Sequence, residues 1–266
     1  MPADRIRRLL AFELMLAAFE AASAGSDPIV VIKGGVAMEV RLRLRGRATK
    51  DIDATLRRHA TLDEIEDVVR DALANPIVDG AVTFDVRGSE PLGQTGAVRF
   101  DIRVFWKGGT LARVRLEVSA GEDVTAGGWE EVAPLDVAAN FGIPTLAGSV
   151  PCLPLRYQIA QKIHAVTDPH DDNDRFRDLI DLLLLDEIDV RDPDHVIREA
   201  CVAVFRGRAR HAWPPVVTVR PGWAAGYRAL AQQMSFPVVD VHDAAAAVQL
   251  MMRRIDQVAG EPPRDE

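Results

Sequence analysis

Between residues 28 and 56 the chain sets out a short apolar run, a glycine pair, a helix-length segment and an alternating acidic run. That order limits the available folds more than any other feature. Ile29, Val30, Val31 and Ile32 are β-branched and lie between Pro28 and Gly34-Gly35, so they read as a buried strand entering a glycine turn. Residues 36–45 fit a helix, although Val40-Arg41-Leu42-Arg43-Leu44-Arg45 alternates as a strand would; Gly46 ends the segment under either reading. Thr49 to Leu56 alternates polar and apolar residues and predicts a second strand.

Asp51 and Asp53 sit two apart in that second strand. A strand turns successive side chains to opposite faces, so both carboxylates share one face, about 6.5–7 Å apart along the chain. Two like charges about 4 Å apart near a protein surface repel by about 4 kcal/mol, so such a pair is either solvated or bound to a cation. The spacing alone decides little. Glu64/Glu66, Asp172/Asp174, Glu187/Asp189 and Asp192/Asp194 share it, in segments that read as helices or polar loops where carboxylates are solvated. What sets Asp51/Asp53 apart is the strand pattern and the upstream Lys33-Gly34-Gly35 turn. Glycines there let backbone N–H groups approach a phosphate without a β-carbon in the way. The turn is neither a Walker A loop nor a GxGxxG fingerprint. Glu117, alternating with apolar residues in Val114 to Val118, offers a third carboxylate, and Asp101 on the neighbouring run competes for that place.

The remaining pattern predicts an α+β chain: an N-terminal mixed sheet with helices (residues 1–150), then a mostly helical domain (residues 151–266). Residues 5–23 carry apolar positions at helical period. Arg5, Arg7 and Arg8 before that stretch mimic a signal peptide, but Glu13 and Glu20 interrupt it, so it reads as an amphipathic helix. Residues 61–74 read as a helix opened by a capping box, Thr61 with Glu64. Residues 97–106 and 111–119 read as a hairpin around Lys107-Gly108-Gly109-Thr110. Past residue 120 the strand signal fades, and Pro144, Pro151 and Pro154 mark a boundary. Helices follow over 155–166, 175–186, 222–234 and 241–257.

Composition excludes several classes. The 266 residues are 48% hydrophobic and 27% charged, which rules out a fully disordered chain. Two cysteines, Cys152 and Cys201, exclude a disulfide scaffold and a multi-cysteine zinc site and suit reduced thiols in the cytoplasm. No apolar run reaches the length of a membrane span, so no membrane association is expected. A net charge of −8 argues against a sequence-blind nucleic-acid coat. Yet Arg41, Arg43, Arg45, Arg47, Lys50, Arg57 and Arg58, with Lys33, form a dense basic stretch that could receive a polyanion. His170 among Asp168, Asp171, Asp172 and Asp174 reads as a solvated loop rather than a metal cluster. His164, Trp213 and Trp223 read as packing residues.

Lys33-Gly34-Gly35-Val36-Ala37 followed by Arg47-Ala48-Thr49-Lys50-Asp51-Ile52-Asp53 resembles the first motif of the AbiEii/AbiGii toxin family, within the DNA-polymerase-β-like nucleotidyltransferase superfamily. Fifteen residues separate the glycine pair from Asp51, a longer interval than the generic superfamily pattern. Ala160-Gln161-Lys162-Ile163-His164-Ala165 and Arg175-Phe176-Arg177-Asp178-Leu179-Ile180-Asp181-Leu182 resemble the family's lysine and Arg-Asp-x-x-Asp-Leu motifs. The Val114–Val118 run is similar to its third acidic strand.

The resemblance implies a nucleotidyl transfer enzyme that moves NMP from an NTP with two Mg2+ ions, Mn2+ being an alternative. It implies that Asp51, Asp53 and Glu117 hold the metals. Lys33, Gly34, Gly35, Thr49 and Lys162 would bind the nucleotide. Asp178 would orient Lys162 or act as base, supported by Asp181, while Arg175 and Arg177 would contact phosphates or neutralise Asp178. The expected acceptor is RNA, a tRNA 3′ end, and the expected partner is a cognate antitoxin. A protein or small-molecule hydroxyl is the alternative acceptor, and a non-catalytic NTP- or partner-binding protein the alternative of another class.

Overall fold

The structure is a computed structural model and describes residues 3–23, 27–43, 45–57, 60–92, 96–121, 128–143, 148–170, 172–188 and 192–258. Leu44, Arg58, Pro144, Asp171 and Asp189 lie outside the described residues. Its contacts divide the chain into two compact units: Met1–Leu44 with Ala48–Leu153, and Arg45–Arg47 with Pro154–Glu266.

The first unit holds α1 (Ala3–Ala22), β1 (Val30–Lys33), α2 (Gly34–Arg41), β2 (Asp51–Leu56), α3 (Leu62–Ala74), β3 (Val82–Pro91), β4 (Ala97–Trp106), β5 (Gly109–Ser119), β6 (Glu130–Val132) and β7 (Val150–Cys152). The strands form one mixed sheet in the order β3-β4-β5-β2-β1-β7-β6. β1 runs antiparallel to β2, while β2–β5 and β1–β7 are parallel. Alternation gives the sheet two unlike faces. Ile32, Ile52, Ala54, Phe100, Ile102, Val114, Leu116 and Val118 are buried in one core with Leu9, Phe12 and Met15 of α1 and Ile65, Val69 and Leu73 of α3. The intervening residues of β1, β2, β4 and β5 are mostly charged.

Local chemistry fixes the elements. Glu13 interrupts the apolar face of α1 because its carboxylate accepts the Val137 and Ala138 N–H groups at 2.8 and 2.7 Å, at the start of a 3-10 turn (Ala138–Phe141). The capping box at Thr61 and Glu64 forms as the sequence predicts. The β4–β5 turn is tighter than expected: only Lys107 and Gly108 lie outside the strands. Both have positive φ (45° and 80°), as a type I′ hairpin turn demands. The ambiguous segment resolves as helix, because Val36, Ala37, Met38 and Val40 bury one stripe; it ends at Arg41, well before Gly46, and Arg43 follows at φ 50°. Three strands go beyond the sequence expectation: β3, which carries a register shift between Val86 and Gly88, and the short β6 and β7.

The second unit comprises α4 (Leu155–Val166), α5 (Arg177–Asp186), α6 (Asp194–Arg208), α7 (Trp223–Met234) and α8 (Val241–Gln257). α4 packs on α5 and α6, and α8 on α5, α6 and α7. Trp223 is buried, its indole N–H donating to the Asn173 carbonyl at 2.7 Å; half-buried Trp213 donates to Asp256 at 2.8 Å. Among the described residues no helix is long and apolar enough to cross a membrane.

Candidate active site

The charged face of the sheet is ordered in rows. Arg99 on β4, Glu117 on β5, Asp53 on β2 and Lys33 on β1 are direct cross-strand neighbours in turn. The next row runs Asp101, Arg115, Asp51. Asp51 and Asp53 thus share one face, and the strand order puts Glu117, not Asp101, beside Asp53.

The glycine pair is shaped around two of these side chains. Gly34 has φ +60°, and a β-carbon built on it would lie 1.9 Å from Asp53 Oδ2. One built on Gly35 would lie 2.6 Å from Thr49 Oγ1. The glycines therefore serve more than the turn: the carboxylate and the hydroxyl occupy the space that any other residue would need. The backbone N–H of Gly35 donates to the Asp53 carboxylate. Thr49 is fixed by its hydroxyl, which donates to the Asp51 carbonyl at 3.1 Å, and by its N–H, which reaches Glu39 Oε2 at 3.5 Å. Glu39 is buried and held by Arg5 through contacts of 3.2 and 2.7 Å. The sequence reading missed Glu39; its signal was a lone acid inside the apolar stripe of α2.

Burial pushes the Asp53 carboxyl above the usual carboxylate range, and Glu117 and Asp51 push the same way against Lys33 and the Gly35 N–H. This crowding of acids suits a hard cation, whose oxygen ligands are carboxylates, phosphates and water. Asp51 and Asp53 fit that role. Glu117 is already engaged: Arg99 donates to it from Nε and Nη2, both at 2.8 Å. Arg115 lies 3.6 Å from Asp51, and Lys33 Nζ donates to Ser119 Oγ at 2.6 Å. No group of three or more metal-binding side chains occurs among the described residues, so a cation here would complete its shell with substrate oxygens and water.

The second unit holds its own ionic cluster. Lys162 of α4 is 6% exposed and donates to Asp178 Oδ1 at 2.8 Å and Asp181 Oδ2 at 2.6 Å, both on α5. Those bonds use two of the three ammonium N–H groups and leave one. Arg175 donates from Nε to Asp178 Oδ2 at 2.8 Å, and Arg47 lies 3.3 Å from Asp181. Burial disfavours the charged lysine, but Asp178 and Asp181 outweigh it and raise the amine above its ordinary range. Burial likewise pushes Asp178 up, yet Lys162 and Arg175 prevail and hold it below the usual carboxylate range. A carboxylate so held binds a proton poorly and suits orienting the amine better than accepting a proton. Asp181 Oδ1 is buried without a hydrogen-bond partner among the described residues.

Other sequence candidates are placed elsewhere. The basic stretch from Arg41 to Arg57 is largely spent on internal contacts. Arg41 binds the Leu153 carbonyl and Glu130, Arg43 the Pro134 carbonyl, Arg45 Glu187, Arg47 Asp181, and Arg57 Asp27 while covering the Trp129 ring. These arginines act as clamps within the fold, while Arg43, Arg45 and Lys50 are exposed. His164 packs against Phe205 and His211, with ring centroids 4.9 and 4.6 Å away. His170 is exposed, and its N–H donates to Asp168. Arg177 pairs with Asp174 at 3.5 Å.

Comparison with known proteins bears on the family and the fold. No curated protein matches the chain at a significant level. Among solved structures the chain is similar to MenT4, a nucleotidyltransferase toxin from Mycobacterium tuberculosis H37Rv, with TM-score 0.57 and 17% identity over 96% of this chain and 91% of that one. That likeness supports the fold. A more distant match is an antigenic nucleotidyltransferase-like protein from Paracoccidioides brasiliensis, with TM-score 0.44 and 15% identity over 76% of this chain and 89% of the other. A family model described as "Nucleotidyl transferase AbiEii toxin, Type IV TA system" matches residues 15–257. With the glycine turn closed around Asp53 and Thr49 and that match spanning nearly the whole sequence, the chain belongs to the AbiEii family of nucleotidyl transferase toxins.

Proposed function

We propose that the protein transfers NMP from an NTP to the 3′ hydroxyl of an RNA, a tRNA end, as the toxin of a toxin–antitoxin pair restrained by a cognate antitoxin in the cytoplasm. In the reaction the acceptor hydroxyl gives up its proton to solvent as its oxygen bonds to the α-phosphorus, the bond from that phosphorus to the bridging oxygen breaks, and pyrophosphate leaves with the electron pair. Asp51 and Asp53 would hold Mg2+, or Mn2+, which when bound neutralises the triphosphate and acidifies the attacking hydroxyl. Glu117 would join them only on leaving Arg99. Gly34 and Gly35 admit the carboxylate and hydroxyl that shape the turn, Lys33 would donate to phosphate beside it, and Thr49 would do so only on releasing the Asp51 carbonyl. The helical region, residues 151–266, would contribute Lys162, with one ammonium N–H left for a phosphate oxygen, and Asp178, which would fix the direction of that amine.

The observation that carries the reading is the Gly34-Gly35 turn built around Asp53 and Thr49, an arrangement that preorganises acidic and hydroxyl groups at the start of α2. The test is incubation of the protein with total tRNA, Mg2+ and each α-labelled NTP in turn. Label in the RNA supports the reading. Label on protein or on a small alcohol overturns the acceptor, and label nowhere overturns transfer itself.

A further inference from the structure

Beyond the Asp51 row the charged face of the sheet carries one more row. Arg103 on β4 and Arg113 on β5 are direct cross-strand partners. Like charges directly opposite on adjacent strands destabilise a sheet. Neither guanidinium has a hydrogen bond or an ion pair among the described residues. The acid across from Arg103 on β3, Asp85, is taken by Arg87 at 2.6 Å. The next acid along β4, Asp101, is registered with Arg115. Arg113 is exposed and Arg103 half-buried. This pair differs from the Arg41–Arg57 stretch, whose arginines are mostly spent on acids and carbonyls.

Its position is defined by the strand. On β5 the same face shows Glu117, Arg115 and Arg113 in steps of two residues. Each step is about 6.6 Å, so Arg113 lies about 13 Å from the row of Asp53. An acceptor whose hydroxyl sits at Asp51 and Asp53 would meet Arg103 and Arg113 only if it carries negative charge at that distance. The phosphates of a nucleic-acid strand behind its 3′ end do so. A protein side chain or a small alcohol carries no phosphate there.

Resting on the RNA-acceptor reading above, we propose that Arg103 and Arg113 form a phosphate-binding station for the acceptor strand, upstream of its reacting 3′ hydroxyl. The repulsion between the two cations is relieved when a phosphodiester lies between them. The contact is to backbone phosphate, so it is blind to base sequence.

The test compares wild type, Arg103→Gln/Arg113→Gln and Arg103→Lys/Arg113→Lys. Each is titrated with a short single-stranded RNA bearing a free 3′ hydroxyl across a salt series, and assayed for transfer to that RNA. Losing two phosphate contacts makes the slope of log K against log salt shallower by about 1.4, at about 0.7 per contact on a single strand. The glutamine variant is expected to show that shift and a higher KM for RNA, with KM for the NTP unchanged. The lysine variant keeps the wild-type slope. Without RNA the glutamine variant melts no lower than wild type, because it removes a repulsion. If wild type transfers to RNA while the glutamine variant keeps its slope and KM, the station is refuted and the RNA reading survives. A lysine variant that loses the slope as well also refutes it, since charge would not be the cause. If wild type neither binds nor modifies RNA, both fall together.

Discussion

Asp53 occupies the place that a side chain on Gly34 would need: a β-carbon at that glycine falls 1.9 Å from the carboxylate oxygen. Gly34→Ala therefore meets two penalties, a left-handed backbone at φ +60° and a collision with Asp53. The expected cost is at least about 2 kcal/mol, with loss of transfer activity. Asp53→Ala in the same chain removes the carboxyl group, the worst of the collision, but leaves its own β-carbon 2.8 Å away and the backbone strain untouched. Urea unfolding of both single variants and the double variant should therefore show a coupling of opposite sign to the single costs. Strict additivity would mean that the glycine and the carboxylate do not share that space.

Lys162 is both a proposed phosphate ligand and the counter-charge of two buried carboxylates. Removing one partner of a buried ion pair costs about 3–5 kcal/mol, because the remaining charge is left uncompensated. Lys162→Met should lower stability by that order, whereas Asp51→Asn, at a side chain 37% exposed, should leave it within about 1 kcal/mol. Chemical denaturation of the two variants checks this. Inactivity of Lys162→Met is therefore read only alongside its folding, and Lys162→Arg, which keeps the charge, is the better probe of chemistry.

The α4 histidine makes the fold acid-sensitive. Burial, then the nearby Arg208 and His211, pull His164 down to about 4 from an ordinary 6.5, while Asp168 opposes them and Arg210 adds to the depression. Its folded pKa lies below its unfolded one. The stability it contributes is thus complete above pH 6.5 and is lost as pH falls from there through 4. A tenfold change in proton affinity is worth about 1.36 kcal/mol, so the loss is at most about 3 kcal/mol, and solvent screening lowers it further. Urea midpoints measured from pH 7 to pH 4 should fall further for wild type than for His164→Phe, the variant lacking this component. Parallel curves would show that the imidazole titrates alike in both states.

What could be read from the sequence, and what could not, follows from the range of the interactions. The α3 capping box, the β4–β5 hairpin and the strand–glycine–helix–strand order are set by neighbours in sequence and were legible. The third acidic strand could be located, but Arg99 holding Glu117 depends on strand register across a hairpin. Glu39 bridging Arg5 and Thr49, and Arg47 reaching Asp181, join residues far apart in the chain, which no local pattern reveals. β3 escaped because it is a polar edge strand whose register shift breaks the alternation. The basic stretch was legible as charge, but its partners Glu130, Glu187 and Asp181 are distant in sequence and were not.

Asp51 and Asp53 are the proposed cation-holding pair of the nucleotidyl transfer site. The most direct measurement is transfer of label from an α-labelled NTP to RNA by Asp53→Asn, with and without Mg2+, in protein verified as folded by circular dichroism. Asp53→Asn should lose transfer by at least about 100-fold, the scale of removing a preorganised electrostatic group, and wild type should lose it when Mg2+ is chelated. Near-wild-type transfer by folded Asp53→Asn, in the presence of Mg2+, would contradict the account.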